Sequence, residues 1–259
     1  MPHSRQPGRS VSARLLDVLF AFRATKPRLT LAELTRATGL PHASVRRLAL
    51  ELVAAGALDR SPDGTFTVGI RLWEVGTLAP LSLPLRTVAL PYMEDLHGAL
   101  RQHVQIAVLE GTSAVLVERL SANHAVDVAF RPGGRLPLHS SGVGKVLLAH
   151  AGPELTEALL RDGLLAHTPS TVTDPVRLRA QLAEARESGT AEVHGETSPG
   201  VDSVATRVLD GDGEVVAALG VVVRAGTVDL RTVRPAVIAS GLAVSRRLGW
   251  QSATGIRPC

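Results

Sequence analysis

Residues 30 to 56 constrain this chain more than any other stretch, because they describe a short helix, a glycine turn and a longer helix. Thr30-Leu-Ala-Glu33 has the form of a capping box, a hydroxyl residue three places before an acid. The helix it opens carries Leu31, Leu34 and Ala37 and ends at Gly39. Gly39-Leu-Pro41 leads into a longer helix, where Val45, Leu48, Ala49, Leu52 and Val53 form one apolar stripe before Gly56 stops it. Upstream, Val11, Leu15, Leu16, Leu19 and Phe22 recur at helical spacing, and Thr25-Lys-Pro-Arg ends that run. Downstream, Ala57–Arg60 and Thr65–Val68 flank Ser61-Pro-Asp-Gly64, which reads as two short strands about a turn. Three helices followed by a hairpin predict a mainly α winged helix-turn-helix domain over residues 10–70.

Opposite its stripe, the third helix carries Ala43, Arg46, Arg47 and Leu50, with His42 and Ser44 at its start. Small residues there allow close approach to a major groove, and an arginine can pair with guanine or contact phosphate. The candidate DNA contacts are therefore His42, Ala43, Ser44, Arg46 and Arg47, with Thr30, Arg36 and Arg60 around them. Charge is distributed accordingly. The formal net charge is +4, yet residues 1–76 carry 11 basic against 6 acidic side chains, and the remainder 17 against 18. A plain three-helix bundle with exposed arginines would explain the helices alone, but not the turn, the basic face and the hairpin in order.

Composition excludes several classes. No apolar run approaches the 18 or more residues of a bilayer span, and MPHSRQPGRS lacks the apolar core of a secretory signal. A cytoplasmic protein without membrane contact is expected. The one cysteine, Cys259, allows neither an intrachain disulfide nor a thiolate metal cage. Aromatic residues are 3% of the chain, too few for a base-stacking platform on single strands. No cofactor and no metal is expected, since His97 and His103, six apart, lack ligand spacing on a helix.

The remaining chain reads as a disordered basic arm at 1–9, a linker at 71–91, a second domain at 92–250 and a tail at 251–259. Ile70, Leu72, Trp73 and Val75 look helical, after which Pro80, Pro84 and Pro91 predict a broken linker. A helix restarting near Pro91 would carry Tyr92, Met93, Leu96 and Leu100. Strands are expected at Val104–Leu109, Ala114–Val117, Ala125–Phe130, Val201–Leu209 and Glu214–Val223, the last pair around Gly211-Asp-Gly213. Helices are expected at 142–150, 153–162, 175–188 and 232–248, with Pro175 at a first helical position and Gly189 at an end. This is the pattern of an α+β domain on an antiparallel sheet.

Two apparent catalytic motifs fail. Gly142-Val-Gly144-Lys145 lacks a phosphate loop's leading glycine, since position 139 is His139, and its closing hydroxyl, since Val146 follows. No G-x-S-x-G elbow surrounds His139, Ser140 and Ser141, which leaves a hydrolase built on Ser140 or Ser141 a remote alternative to a non-enzymatic protein.

Three stretches in order, LTLAELTRATGLPHASVRRLALELVAAGALDRSPDGTFTVGIRLWEVG, LPLHSSGVGKVLLAH and GVDSVATRVLDGDGEVVAALGV, resemble the IclR family of bacterial transcriptional regulators. The resemblance implies a GAF-like effector-binding domain from about residue 80 to 250. It also implies a linker helix that helps pair subunits, a homodimer or dimer of dimers, and a near-palindromic double-stranded operator. Family members are more often repressors than activators. The loop at His139–Lys145 would close one side of the pocket through Leu138, Ser141, Gly142 and Val143. The other side would come from Val201–Val223. Members that sense small keto or hydroxy acids often carry an acid before this strand, a cysteine or serine within it and a Ser-x-Ser near its end. Here the matching residues are Val193, Ser203, and Gly220 with Val222, so one polar anchor of four remains. With Val201 they imply a small-molecule effector larger and more apolar than glyoxylate or pyruvate, aromatic or acyl, its polar end at Gly142 and Ser203. A ligand-independent DNA-binding regulator is the alternative.

Overall fold

The computed structural model describes residues 10–23, 26–76, 78, 83–122, 126 and 130–251, and the chain divides into two compact units, Met1–Leu83 and Pro84–Cys259. The arm at 1–9, Thr25, Pro80 and the tail beyond Gln251 lie outside the described residues. So does the strand expected at Ala125–Phe130, apart from Val126 and Phe130, neither of which belongs to a strand.

The first unit runs α1 (Val11–Leu19), β1 (Arg28–Leu29), α2 (Leu31–Thr38), α3 (His42–Ala54), β2 (Leu58–Arg60), β3 (Phe66–Val68) and α4 (Ile70–Gly76). The capping box is formed: Thr30 Oγ1 accepts from the Glu33 amide at 3.3 Å, and Glu33 Oε2 accepts from the Thr30 amide at 2.8 Å. Gly39 ends α2 at φ +65°, a left-handed turn that favours glycine. Val45, Leu48, Ala49 and Leu52 turn inward from α3 onto Val18, Leu29, Leu34, Leu58 and Phe66. Each larger apolar side chain in such a core contributes about 1.5–3 kcal/mol by leaving water. The stripe expected on α1 divides: Val18 is sealed, whereas Val11 and Leu16 are 49% and 44% exposed. Leu16 stands two places from Val18, on the opposite side of the helix. The wing pairs Leu58 with Val68 and Arg60 with Phe66, and β1 adds a third strand on β3. At two residues β1 is too short for any periodicity to reveal.

The second unit runs α5 (Leu83–Leu100), β4 (His103–Glu110), β5 (Ser113–Leu120), β6 (Arg135–Pro137), α6 (Gly142–His150), α7 (Pro153–Asp162), α8 (Pro175–Ser188), β7 (Thr190–His194), β8 (Val201–Leu209), β9 (Val215–Arg224) and α9 (Leu230–Arg247). The expectation of a break at Pro91 is corrected, because α5 continues through it. Pro84 lies in the first turn, where a missing N–H costs nothing, and Pro91 forfeits one internal bond. Leu85, Ala89, Met93 and Leu96 form a buried stripe across that point and hold the helix in place.

The strands form one antiparallel sheet in the order β6-β5-β4-β9-β8-β7. Strand alternation sends Ala217, Leu219, Val221 and Val223 of β9 to the core shared with α5 and α9. Ala218 and, from β8, Ala205 pack on the other face with α6 and α8. On that second face the register aligns Val193, Ser203, Val222 and His103 across four strands, and Ala191, Ala205, Gly220, Gln105 and Arg119 across five. The second row is small at its centre, and α6 lies there.

Candidate functional site

In the first unit, α3 presents His42, Ala43, Arg46, Arg47 and Leu50 as exposed residues, with Ser44 half-buried. Its N-cap is Pro41, which supplies no side-chain acceptor, while its carbonyl accepts from the Ser44 amide at 2.9 Å and the Val45 amide at 3.0 Å. Arg47 Nη1 meets Glu51 Oε1 at 2.6 Å one turn along, with both side chains about half exposed. Arg36 is exposed on α2. The Thr30 hydroxyl is engaged in the α2 cap, donating to Glu33 Oε2 at 2.9 Å. Arg60 stands on the wing with its guanidinium 5.8 Å from the Phe66 ring centroid. Arg28, not singled out in the sequence, joins it on the wing sheet, donating to Thr65 Oγ1 at 3.0 Å and Asp63 Oδ2 at 3.5 Å. Lys26 bonds Glu33 at 2.7 Å, and this bond and the Thr30 cap hold the Glu33 carboxyl down to about 2.

In the second unit, a cavity partly open to solvent lies between the sheet and the start of α6. Six of the expected residues line it: Ser141, Gly142, Val193, Val201, Ser203 and Val222. Three do not, and they are corrected. Leu138 and Val143 are core residues, each 1% exposed. Gly220 lies under α6, where a Cβ would stand 3.1 Å from the Val143 side chain and the Val204 carbonyl. Its role is to admit the helix, so the absence of a hydroxyl at this position says little about the ligand. Sequence reading also missed Gln105, Arg119, Phe130, Leu136, Thr197 and Ser198. The alternation of β4 and β5 could have flagged Gln105 and Arg119 as polar residues facing inward.

The Ser141 hydroxyl has a structural task. It accepts from the Gly144 amide at 3.1 Å as the N-cap of α6 and donates to the Pro137 carbonyl at 2.7 Å. Gly144 must be glycine, since a Cβ would lie 2.5 Å from both the Pro137 carbonyl and Ser141 Oγ. A Cβ on Gly142 would lie 2.9 Å from Ser203 Oγ, so the backbone passes directly against that hydroxyl. Arg119 places a guanidinium on the wall and donates to the Phe130 carbonyl. No serine–histidine couple is built here: His139 Nε2 bonds the Leu165 carbonyl at 3.0 Å, and its ring stacks on His167 at 5.6 Å. Burial pushes the His139 imidazole below its ordinary range, against the pull of that carbonyl. Among the described residues no group of three or more His, Cys, Asp or Glu could hold a metal ion, and no helix is long and apolar enough to cross a membrane.

Lys145 points inward from α6 to Glu196 Oε1 at 2.5 Å and Gln181 Oε1 at 2.8 Å. The Glu196 side chain is 6% exposed and that of Lys145 2%. Burial pushes the Lys145 ammonium down, opposed by the Glu196 carboxylate.

A winged helix-turn-helix with an outward basic face, in one chain with a sheet domain enclosing a polar–apolar cavity, defines a DNA-binding regulator of transcription. The chain belongs to the IclR family: its residues 79–246 match the bacterial transcriptional regulator IclR C-terminal model, and residues 12–62 the IclR helix-turn-helix domain. It is 30% identical over 242 residues to the HTH-type transcriptional regulator XynR of Escherichia coli K12, covering 92% of this chain and 96% of that one. It is 32% identical over 239 residues to the Pca regulon regulatory protein of Pseudomonas putida, covering 91% and 81%. The crystal structure of an IclR homolog complexed with 4-hydroxybenzoate, from Microbacterium hydrocarbonoxydans, superposes with a TM-score of 0.86 at 36% identity, covering 92% of this chain and 99% of that one.

Proposed function

We propose that this regulator is a repressor whose grip on a near-palindromic operator is controlled by an organic acid with an aromatic or acyl body. The observation that carries the reading is the lining itself. Leu136, Phe130, Val193, Val201 and Val222 supply an apolar surface, and Gln105, Arg119, Ser203 and the Gly142 backbone supply a few polar groups. A site of this kind favours a ligand with a sizeable apolar part, because a two- or three-carbon acid would leave the valines in contact with water. The bound 4-hydroxybenzoate of the Microbacterium homolog is a ligand of that chemistry. The polar end of the effector lodges near Gly142 and Ser203.

On DNA, Arg46 and Arg47 read bases from α3, with His42, Ala43 and Ser44 at the groove edge and Arg36, Thr30 and Arg60 around the backbone. The chain works as a homodimer or a dimer of dimers, because two recognition helices related by a two-fold axis read a palindrome. Exposed apolar side chains at Phe20, Ile70 and Trp73, 62%, 63% and 66% accessible, supply material for pairing. Effector binding shifts the population between conformations of different operator affinity.

Selection of bound DNA from a random pool, with and without 4-hydroxybenzoate, tests both halves together. A near-palindromic consensus released by that acid, and not by pyruvate or glyoxylate at the same concentration, is expected. Micromolar binding of glyoxylate or pyruvate in a calorimetric titration overturns the effector assignment.

A further inference from the structure

The segment Gly195–Gly200 forms one wall of the cavity through Thr197 and Ser198 and has no regular secondary structure. It is nonetheless tied down on several sides. Thr168 Oγ1 donates to the Gly195 carbonyl and Thr171 Oγ1 to the Glu196 carbonyl, each at 2.7 Å. The Val172 amide donates to Glu196 Oε2 at 3.2 Å, while Oε1 takes the Lys145 ammonium at 2.5 Å. Thr197 Oγ1 donates to the Ser140 carbonyl at 2.6 Å, beside the start of α6. Lys145 stands one turn into the same helix whose first residue, Gly142, lines the cavity.

Burying two charges costs several kcal/mol per ion, and a well-packed apolar pair of similar volume often holds a core equally well. What the ion pair adds over such a pair is direction: Glu196 can sit where both of its oxygens meet their donors and hardly elsewhere. We propose that Lys145 and Glu196 are positioning residues that register the Gly195–Gly200 wall against the start of α6, and so set the width of the cavity and the size of ligand it admits. The ligand half of this statement rests on the reading of the cavity as the effector site. Lys145 does not line the cavity and touches no ligand; it acts through Glu196 on Thr197 and Ser198.

The test replaces the pair in the full-length protein by Lys145→Met with Glu196→Leu, which keeps volume and removes the charges. Hydrogen exchange is followed residue by residue without ligand, then 4-hydroxybenzoate and pyruvate are titrated. The double variant is expected to keep cooperative unfolding and β8–β9 protection, while the amides of Gly195 and Val201, which bond the Val201 and Ser198 carbonyls, exchange roughly tenfold faster or more. Its affinity for 4-hydroxybenzoate is expected to fall by a similar factor, narrowing the preference over pyruvate. Unchanged exchange at Gly195 and Val201 overturns the positioning role, and faster exchange with unchanged affinities overturns the link to ligand size. If the unaltered protein binds neither acid, the effector reading fails, and the exchange result still decides whether the pair positions the wall. Should the double variant not fold, Glu196→Gln, which keeps the hydrogen-bonding oxygen and loses the charge, is read in the same way.

Discussion

On α3, Arg47 meets its acid partner with 55% of its side chain in water; on α6, Lys145 meets Glu196 with 2%. The two pairs summarise the two halves of the molecule. The exposed one is screened and worth little to stability, so Arg47 can exchange its partner for a base or a phosphate as DNA arrives. The buried one cannot be exchanged without exposing a charge to an apolar interior. The proposed DNA-reading face of the first unit is therefore an outer one, with groups that are free to rearrange. In the second, the proposed effector site is a cavity inside the domain, and on that proposal its selectivity rests on how firmly the walls are held.

Removing the outward arginines tests the first half of this contrast most severely. Arg46→Ala with Arg47→Ala is expected to weaken operator binding by about 1–3 kcal/mol for each arginine that reads a base, leaving calorimetric titration of the effector unchanged. An unchanged gel shift removes α3 as the reading helix. Gly144→Ala attacks the enclosed half. The added methyl meets the Pro137 carbonyl and Ser141 Oγ at 2.5 Å, and a destabilisation of roughly 1–3 kcal/mol in denaturant unfolding of the second unit is expected. A variant as stable as the parent would mean that the start of α6 is looser than its contacts imply. Val222→Ser probes ligand preference on the cavity wall. It should cost an aromatic acid about 1 kcal/mol of affinity in calorimetry and leave operator binding without ligand unaltered.

The smallest expected effect lies at the start of α2. Glu33 is held down to about 2 by Lys26 and the Thr30 cap. A lowered carboxylate pKa contributes stability that is present above the unfolded value and lost as pH falls through the folded one. Its side-chain signal in NMR should therefore titrate near 2, and Lys26→Met should move it upward. A midpoint in the ordinary glutamate range, near 4, would show that the ion pair is not formed in solution.

Helix, turn and wing were legible because each depends on neighbours in the chain. Thr30 and Glu33 are three places apart, Gly39 ends α2 through its own backbone, and the α3 stripe repeats within two turns. Asp174, Pro175 and Gly189 bound α8 for the same reason. Proline read alone misled at Pro91, since a buried stripe on both sides outweighed one lost hydrogen bond. The cavity was half legible. Ser203, Val193 and Val222 share a row of the sheet, as strand register demands, but Gly220 belongs to the packing of α6.

What the sequence by itself determined is the local part: the capped helices, the outward arginines of α3 and the alternation of the strands. Only the tertiary structure decided which residues meet across long separations. Gln105 and Arg119 join Ser203 on one cavity, and Lys145 meets Glu196, 51 positions further along the chain. The reason is physical. Helix caps and stripes are set by interactions within a turn or two, whereas a cavity wall and a buried ion pair exist only once the sheet, α6 and α8 have packed and excluded water.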